Sequence, residues 1–212
     1  MIKKLTSMGH RRFIGMIIGN VLLGIGVSVF KFSGMGNDPF SAMCMAVSNQ
    51  LNLPYASFLV LLNVFIFIIE ITFGRKLIGV GTFVNWFLVG YVAEFFMWLA
   101  DITITPPQTI FLKLLFVILG VILTSLGVSL YQTSDAGISP YDSVSLIMKE
   151  RLPIPYFWCR MTNDGLCAII ALLAGGLIGL GTFICALCLG PIIHFFNEKF
   201  SKKMLFKQSA QI

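Results

Sequence analysis

Ser134-Asp135-Ala136-Gly137-Ile138-Ser139-Pro140-Tyr141-Asp142-Ser143 has an earlier counterpart in Gly34-Met35-Gly36-Asn37-Asp38-Pro39-Phe40-Ser41. In each copy a glycine turn runs into a proline preceded by a small polar residue. That is how a helix begins. The polar side chain accepts from N–H groups that the first turn leaves free, and proline at the first helical position loses no hydrogen bond. Ser139, with Asp142 three residues on, forms a capping box. Both turns interrupt a chain that is otherwise almost continuously apolar. Each is therefore either a surface connection or a break in a membrane-embedded path.

With 57% hydrophobic and 11% charged residues among 212, and a mean hydropathy of +0.91, the chain has too little polar material to cover a water-soluble domain of its length. It reads as an integral membrane protein whose first partner is the lipid bilayer. Apolar runs of about 20 residues, the length that crosses a ~30 Å hydrocarbon core, recur along it. Six are expected: Phe13 to Phe32, Tyr55 to Phe73, Leu77 to Ala100, Phe111 to Tyr131, Ile154 to Gly175 and Leu177 to Phe196.

A net charge of +6 would suit nucleic acid in a soluble protein. Here the basic residues flank spans and form no patch with interleaved aromatics, so no nucleic-acid partner is expected. With the N-terminus inside, the inner segments hold Lys3, Lys4, Arg11 and Arg12, then Arg75 and Lys76, then Lys149, Arg151 and Arg160. Lys199, Lys202, Lys203 and Lys207 complete the set, 13 of the 15 Lys and Arg, leaving only Lys31 and Lys113 near the outer face. This is the positive-inside pattern, and it places both termini in the cytoplasm. Met1 to Gly26 has a basic front like a secretory signal, but no small-x-small cleavage site follows and the run is long enough to span. The five cysteines, Cys44, Cys159, Cys167, Cys185 and Cys188, are odd in number and lie in or beside apolar segments, so no disulfide framework is implied.

Shifting the chain by 101 residues lays Gly19 on Gly120, Gly26-Val27-Ser28 on Gly127-Val128-Ser129, Pro39 on Pro140, and Pro54-Tyr55 on Pro155-Tyr156. After a one-residue deletion the shift is 100, and Leu77-Ile78-Gly79-Val80-Gly81-Thr82-Phe83 falls on Leu177-Ile178-Gly179-Leu180-Gly181-Thr182-Phe183. Each half holds three spans, an odd number, so the second enters the membrane from the opposite side. The expected fold is an all-α integral membrane protein of six transmembrane helices in two inverted-topology three-helix repeats. The repeats cover 13–100 and 109–200 within one membrane domain, 1–212. A short helix follows the first span of each, Pro39 to about Gln50 and Pro140 to about Arg151. About 18 Å long, it suits either a re-entrant half-helix or one lying on the membrane surface. Gly15 and Gly19, four apart on one face of the first span, allow close backbone approach to a neighbouring helix.

The glycine turn into Pro-aromatic-Asp at Gly137 to Asp142, with Gly81-Thr82-Phe83-Val84-Asn85 and then Gly90, resembles the YczE/YitT-type bacterial multipass membrane proteins. The resemblance covers most of the chain and implies the same topology and a bacterial inner-membrane home; it brings no reaction with it. The first half departs from the family pattern, with Ser41 where an acid is usual and Phe40 where tryptophan is.

Ionisable groups in a span are functional candidates by default. Asp164 lies about 13 Å into the fifth span, and its repeat partner Asn63 lies at about the same depth from the other face. Arg160, one turn before Asp164, offers a purely structural pairing as the alternative. Asn85, also near mid-depth, suits helix-to-helix bonding as well as a solute. Asn37, Asp38, Ser139 and Asp142 sit at the two helix starts, whose partial positive charge suits an anionic group. Glu70 reads as a boundary acid within reach of Arg75 and Lys76. Cys185 and Cys188 share a helix face, but His194 points about 180° away, so no metal or other cofactor is expected. No P-loop, nucleophile elbow or zinc-protease motif appears, which argues against an ATP-driven pump and against an enzyme.

Together these features favour a membrane transporter or facilitator for a small solute, anionic by the helix-dipole argument, with Asp164 as a proton- or cation-coupling site. The competing reading is a membrane accessory or scaffold protein; a homo-oligomer fits either. The charge asymmetry predicts that reporter fusions after Lys76 and at the C-terminus read cytoplasmic, and that a fusion after Gln108 reads external. A C-terminal reporter active outside would overturn the six-span topology.

Overall fold

A computed structural model describes residues 9–206. Lys3, Lys4 and Lys207, counted above for orientation, lie outside the described residues. Among those, all regular structure is helical: α1 (His10–Ser33), α2 (Pro39–Gln50), α3 (Tyr55–Phe73), α4 (Val80–Thr103), α5 (Ile110–Thr133), α6 (Pro140–Arg151), α7 (Tyr156–Leu173) and α8 (Leu180–Phe196). The chain continues from α8 through a π-helical turn, Asn197–Ser201, into α9 (Lys202–Leu205).

Five of the described helices are long and apolar enough to cross a membrane: α1, α3, α4, α5, and α8 with its continuation to Leu205. The 18-residue α7, expected as a further span, is not in that set. Arg160, Asn163 and Asp164 lower its hydropathy. Outward faces of the bundle carry large unpartnered apolar side chains, with Leu173 80% and Phe111 73% exposed. Apolar surface of this extent suits lipid as solvent.

The crossing of α1 and α5 forms the centre. Small residues bring the two backbones into contact: a Cβ added at Gly19 would sit 2.7 Å from Gly127 O, and one at Gly127 would sit 2.6 Å from Gly19 O. Further along, Gly26 abuts Thr124 and Gly120 abuts the Phe30 ring. Between helices in lipid, where burying apolar surface gains little, such close van der Waals packing is the main attraction. α4 packs on α1 and α8 on α5, while each short helix lies against a long helix of the other half, α2 on α7 and α6 on α3.

The two glycine turns dock reciprocally. Gly36 (φ 106°) and Gly137 (φ 122°) take a backbone conformation that side chains resist. Gly181 N donates to Met35 O and Gly81 N to Ala136 O, both at 2.8 Å. Gly137 has no room for a Cβ, which would lie 2.6 Å from Gly79 N. The helix starts are then capped as expected: Asp38 accepts from Ser41 N at 3.1 Å, and Ser139 from Asp142 N at 3.2 Å. Only half of the second capping box forms, because the Asp142 carboxylate turns away to Arg160 and Tyr131.

The packing predicts that Gly19→Ala or Gly127→Ala forces α1 from α5. An overpacked contact costs about 1–3 kcal/mol, so the Tm in detergent should fall by roughly 2–12 °C for a chain of this size. Gly190→Ala, which meets nothing within 4 Å, should leave it unchanged; equal losses in all three variants would refute the assigned crossing.

Candidate functional site

The docked turns bring the starts of α2 and α6 face to face. Phe40 and Tyr141, the second residue of each helix, stack with ring centroids 4.0 Å and planes 11° apart. Beside them lies a cavity of about 70 Å³. Its lining draws on both halves at equivalent positions: Val27 with Val128, Asp38 with Ser139, Phe40 with Tyr141, and Ser41 with Asp142. Leu59 and Asn63 enter from α3, Arg160 from α7, Asn85 from α4 and Thr124 from α5.

One wall is an ion triad. Arg160 pairs with Asp142 Oδ1 through Nη1 and with Asp164 through Nε at 3.3 Å. Its guanidinium lies 4.9 Å from the centre of the Tyr141 ring. Asp142 Oδ2 also accepts from the Tyr131 hydroxyl and from Gln132 Nε2 at 3.3 Å; Asp164 Oδ1 accepts from the Tyr141 hydroxyl at 2.5 Å. Each acid here is buried and meets more than one donor, which is what a charge removed from water needs.

The facing wall is unmatched. Asp38 uses Oδ1 for its helix cap, while Oδ2 is buried with no hydrogen-bond partner. Asn63 Oδ1 and Thr124 Oγ1 are buried and unpartnered too, on side chains only 3% exposed. Asn85 is engaged instead, donating to Asn20 Oδ1 at 2.6 Å, and Asn20 in turn donates to Met16 O at 2.8 Å.

Of the residues singled out in the sequence, Asp38, Asn63, Asn85, Ser139 and Asp142 line this cavity. Asp164 stands behind it, on Tyr141 and Arg160, so the pairing with Arg160 left open above is present. Asn37 is absent from the cavity lining. Its amide closes the turn, donating to Val27 O at 3.0 Å and accepting from Asp38 N at 2.8 Å. Glu70 is no boundary acid either: it is fully buried and neither oxygen has a hydrogen-bond partner. The side chains expected to meet it go elsewhere, Arg75 to Ile71 O at 2.8 Å and Lys76 to Glu150 at 2.7 Å. At the two helix starts Asp38 and Asp142 each set a carboxylate near the positive end of the helix dipole, the second of them paired with Arg160. Tyr131, Gln132, Tyr141, Thr124 and Asn20 were missed as site residues. Asn20, the one amide deep in the first apolar run, was open to the same reasoning that picked Asn63.

Residues 10–198 match the family described as "Family of unknown function (DUF6198)". The chain belongs to that family. It is similar to an uncharacterized protein of Haemophilus influenzae, 25% identical over 82% of this chain and 78% of the relative. It is also similar to the uncharacterized protein YyaS of Bacillus subtilis, 26% identical over 90% and 94%, and to the uncharacterized membrane protein YczE of the same organism, 26% over 84% and 81%. The YczE-type resemblance seen in the sequence therefore holds. No solved structure matches the chain.

The triad predicts a specific pattern of damage and rescue. Arg160→Leu, which installs the residue found at the equivalent position 59, strands two buried carboxylates and should cost about 3–5 kcal/mol. Adding Asp142→Asn and Asp164→Asn should recover most of the lost thermal stability. A triple variant as unstable as the single one would show that Arg160 acts through packing alone.

Proposed function

We propose that this DUF6198 protein is a secondary transporter or facilitator for a small solute, bound at the cavity between α2 and α6. Six spans in two inverted three-helix repeats carry the site, α1, α3 and α4 in one and α5, α7 and α8 in the other. The protein sits in the bacterial inner membrane with both termini cytoplasmic, has no enzymatic reaction, and has lipid and the solute as its partners. α7 serves as the sixth span because its polar residues turn to protein: Asn163 donates to Ser145 at 2.8 Å, and Arg160 and Asp164 pair.

The observation that carries this reading is the placement of unmatched buried polar atoms in a cavity lined by equivalent residues of both halves. Two helix starts meeting at the centre of an apolar bundle, with broken backbone around a polar cavity, is how inverted-repeat transporters build a substrate site. The reciprocal docking of the turns supplies two similar half-sites, and rocking one half against the other would open the cavity to each side in turn.

Alternating access makes a direct prediction. In a background with the five native cysteines replaced, single cysteines at Ser41 and Val128 should each react with a small membrane-impermeant thiol reagent from both sides, tested in right-side-out and inverted vesicles. Bulky reagents should react slowly from either side. Failure of both positions to react from one of the two sides would remove alternating access at this cavity.

A further inference from the structure

Resting on that reading of the cavity, we infer that its ligand is a small cation that donates N–H hydrogen bonds: ammonium, or the charged end of a small primary amine. The deciding feature is how the charges are spent. Arg160 is committed to Asp142 and Asp164, and both of those acids have further donors. Among the acids that line the cavity, Asp38 is the one left over, with one buried oxygen that has no hydrogen-bond partner. At the equivalent place the second half has Ser139, so the excess charge lies on one side of the cavity.

Of the other unmatched atoms, Asn63 Oδ1 can only accept, and the Thr124 hydroxyl can accept as well as donate. Asn63 Oδ1 and Thr124 Oγ1 sit on side chains 97% removed from solvent that line the same cavity. A buried acceptor without a donor costs about 1–3 kcal/mol, and three in one cavity call for a ligand that brings donors. An anion would bring more acceptors. One carboxylate oxygen and two neutral oxygens fall short of the six to eight ligands that a calcium ion takes. Ammonium has one N–H for each acceptor and another to spare, and a primary ammonium has one for each. The aromatic walls, Phe40, Tyr55 and Tyr141, add ring faces and edges that attract a poorly hydrated cation. A cavity of about 70 Å³ limits the ligand to ammonium, methylammonium or a group of that size.

The test is ligand-dependent thermal stability of the purified full chain in detergent, at constant ionic strength, followed by flux into proteoliposomes. Ammonium and methylammonium chloride should raise the Tm saturably, by about 5–10 °C at a hundredfold excess over Kd. Potassium chloride and sodium acetate should not. Asp38→Asn keeps a good helix cap and therefore folds, but should lose the response, and Thr124→Val should weaken it. No shift with either amine, an equal shift with potassium, a shift with acetate alone, or a full response in Asp38→Asn would each overturn the inference. Methylammonium flux separates it from the transport reading: amine stabilisation without flux refutes transport and leaves the ligand class standing, whereas flux of some other solute without amine binding does the reverse.

Discussion

A chain that breaks its helix inside an apolar bundle must still satisfy its backbone there, and the two bonds from Gly81 N to Ala136 O and from Gly181 N to Met35 O meet that demand. Each turn is stabilised by the opposite half of the chain, so neither short helix could hold its place if its own half stood alone. Because the turns are fixed in this reciprocal way, α2 and α6 start at the same place, Phe40 meets Tyr141 ring to ring, and a cavity forms that draws residues from α1 to α8. The glycines follow from the same demand. At Gly137 the approach is so close that a Cβ would collide with the backbone it docks against.

On this scaffold the two halves of the chain carry different side chains at several positions in and beside the cavity. The shift of 101 residues sets Ser41 against Asp142, Leu59 against Arg160, Asn63 against Asp164 and Asp38 against Ser139. Gly19 and Gly120, at the helix crossing, are identical, and so are Val27 and Val128, which also line the cavity. Arg160 and its two acids belong to the second half, and the unmatched acid to the first. The result is a polar cavity with a charged, hydrogen-bonded wall and a facing wall of buried oxygens without hydrogen-bond partners.

Element positions were legible in the sequence because membrane helices are specified by length and hydropathy, and helix starts by local capping. α2 and α6 begin at the prolines that mark them and end where expected, and α3 runs from Tyr55 to Phe73 as read. Side-chain partnerships between helices were not legible, because they depend on which faces meet. Asn37 and Asp38 are adjacent in one turn, yet one closes the loop and the other lines the cavity. Chain proximity pairs Glu70 with Arg75 and Lys76, but in the 3-10 turn those side chains bond elsewhere, to Ile71 O and Glu150. Tyr131 and Gln132 looked like the end of a span, and their role on Asp142 appears only once α6 folds back beside α5.

Whether the triad is there to hold the fold can be judged from the molecule itself. Replacing a buried ion triad by apolar residues is often neutral or stabilising by about 1–4 kcal/mol, and the first half amounts to that replacement. With Ser41, Leu59 and Asn63 where the second half has Asp142, Arg160 and Asp164, α2 still starts at its capped proline and α3 still packs beside it. The same arrangement of helices therefore forms without the charges, so stability alone does not account for them. What they change is the electrostatics of the cavity. On one wall Arg160 pairs with Asp142 and Asp164, and Asp38 makes no direct ion pair among the described residues. In a low-dielectric setting an uncompensated carboxylate is costly, and the bundle could have removed the cost by placing serine at position 38 as it does at position 139. Instead an acid stands there, next to Asn63 and Thr124 oxygens that are likewise unpartnered, and this is the cost that the proposed ligand would offset.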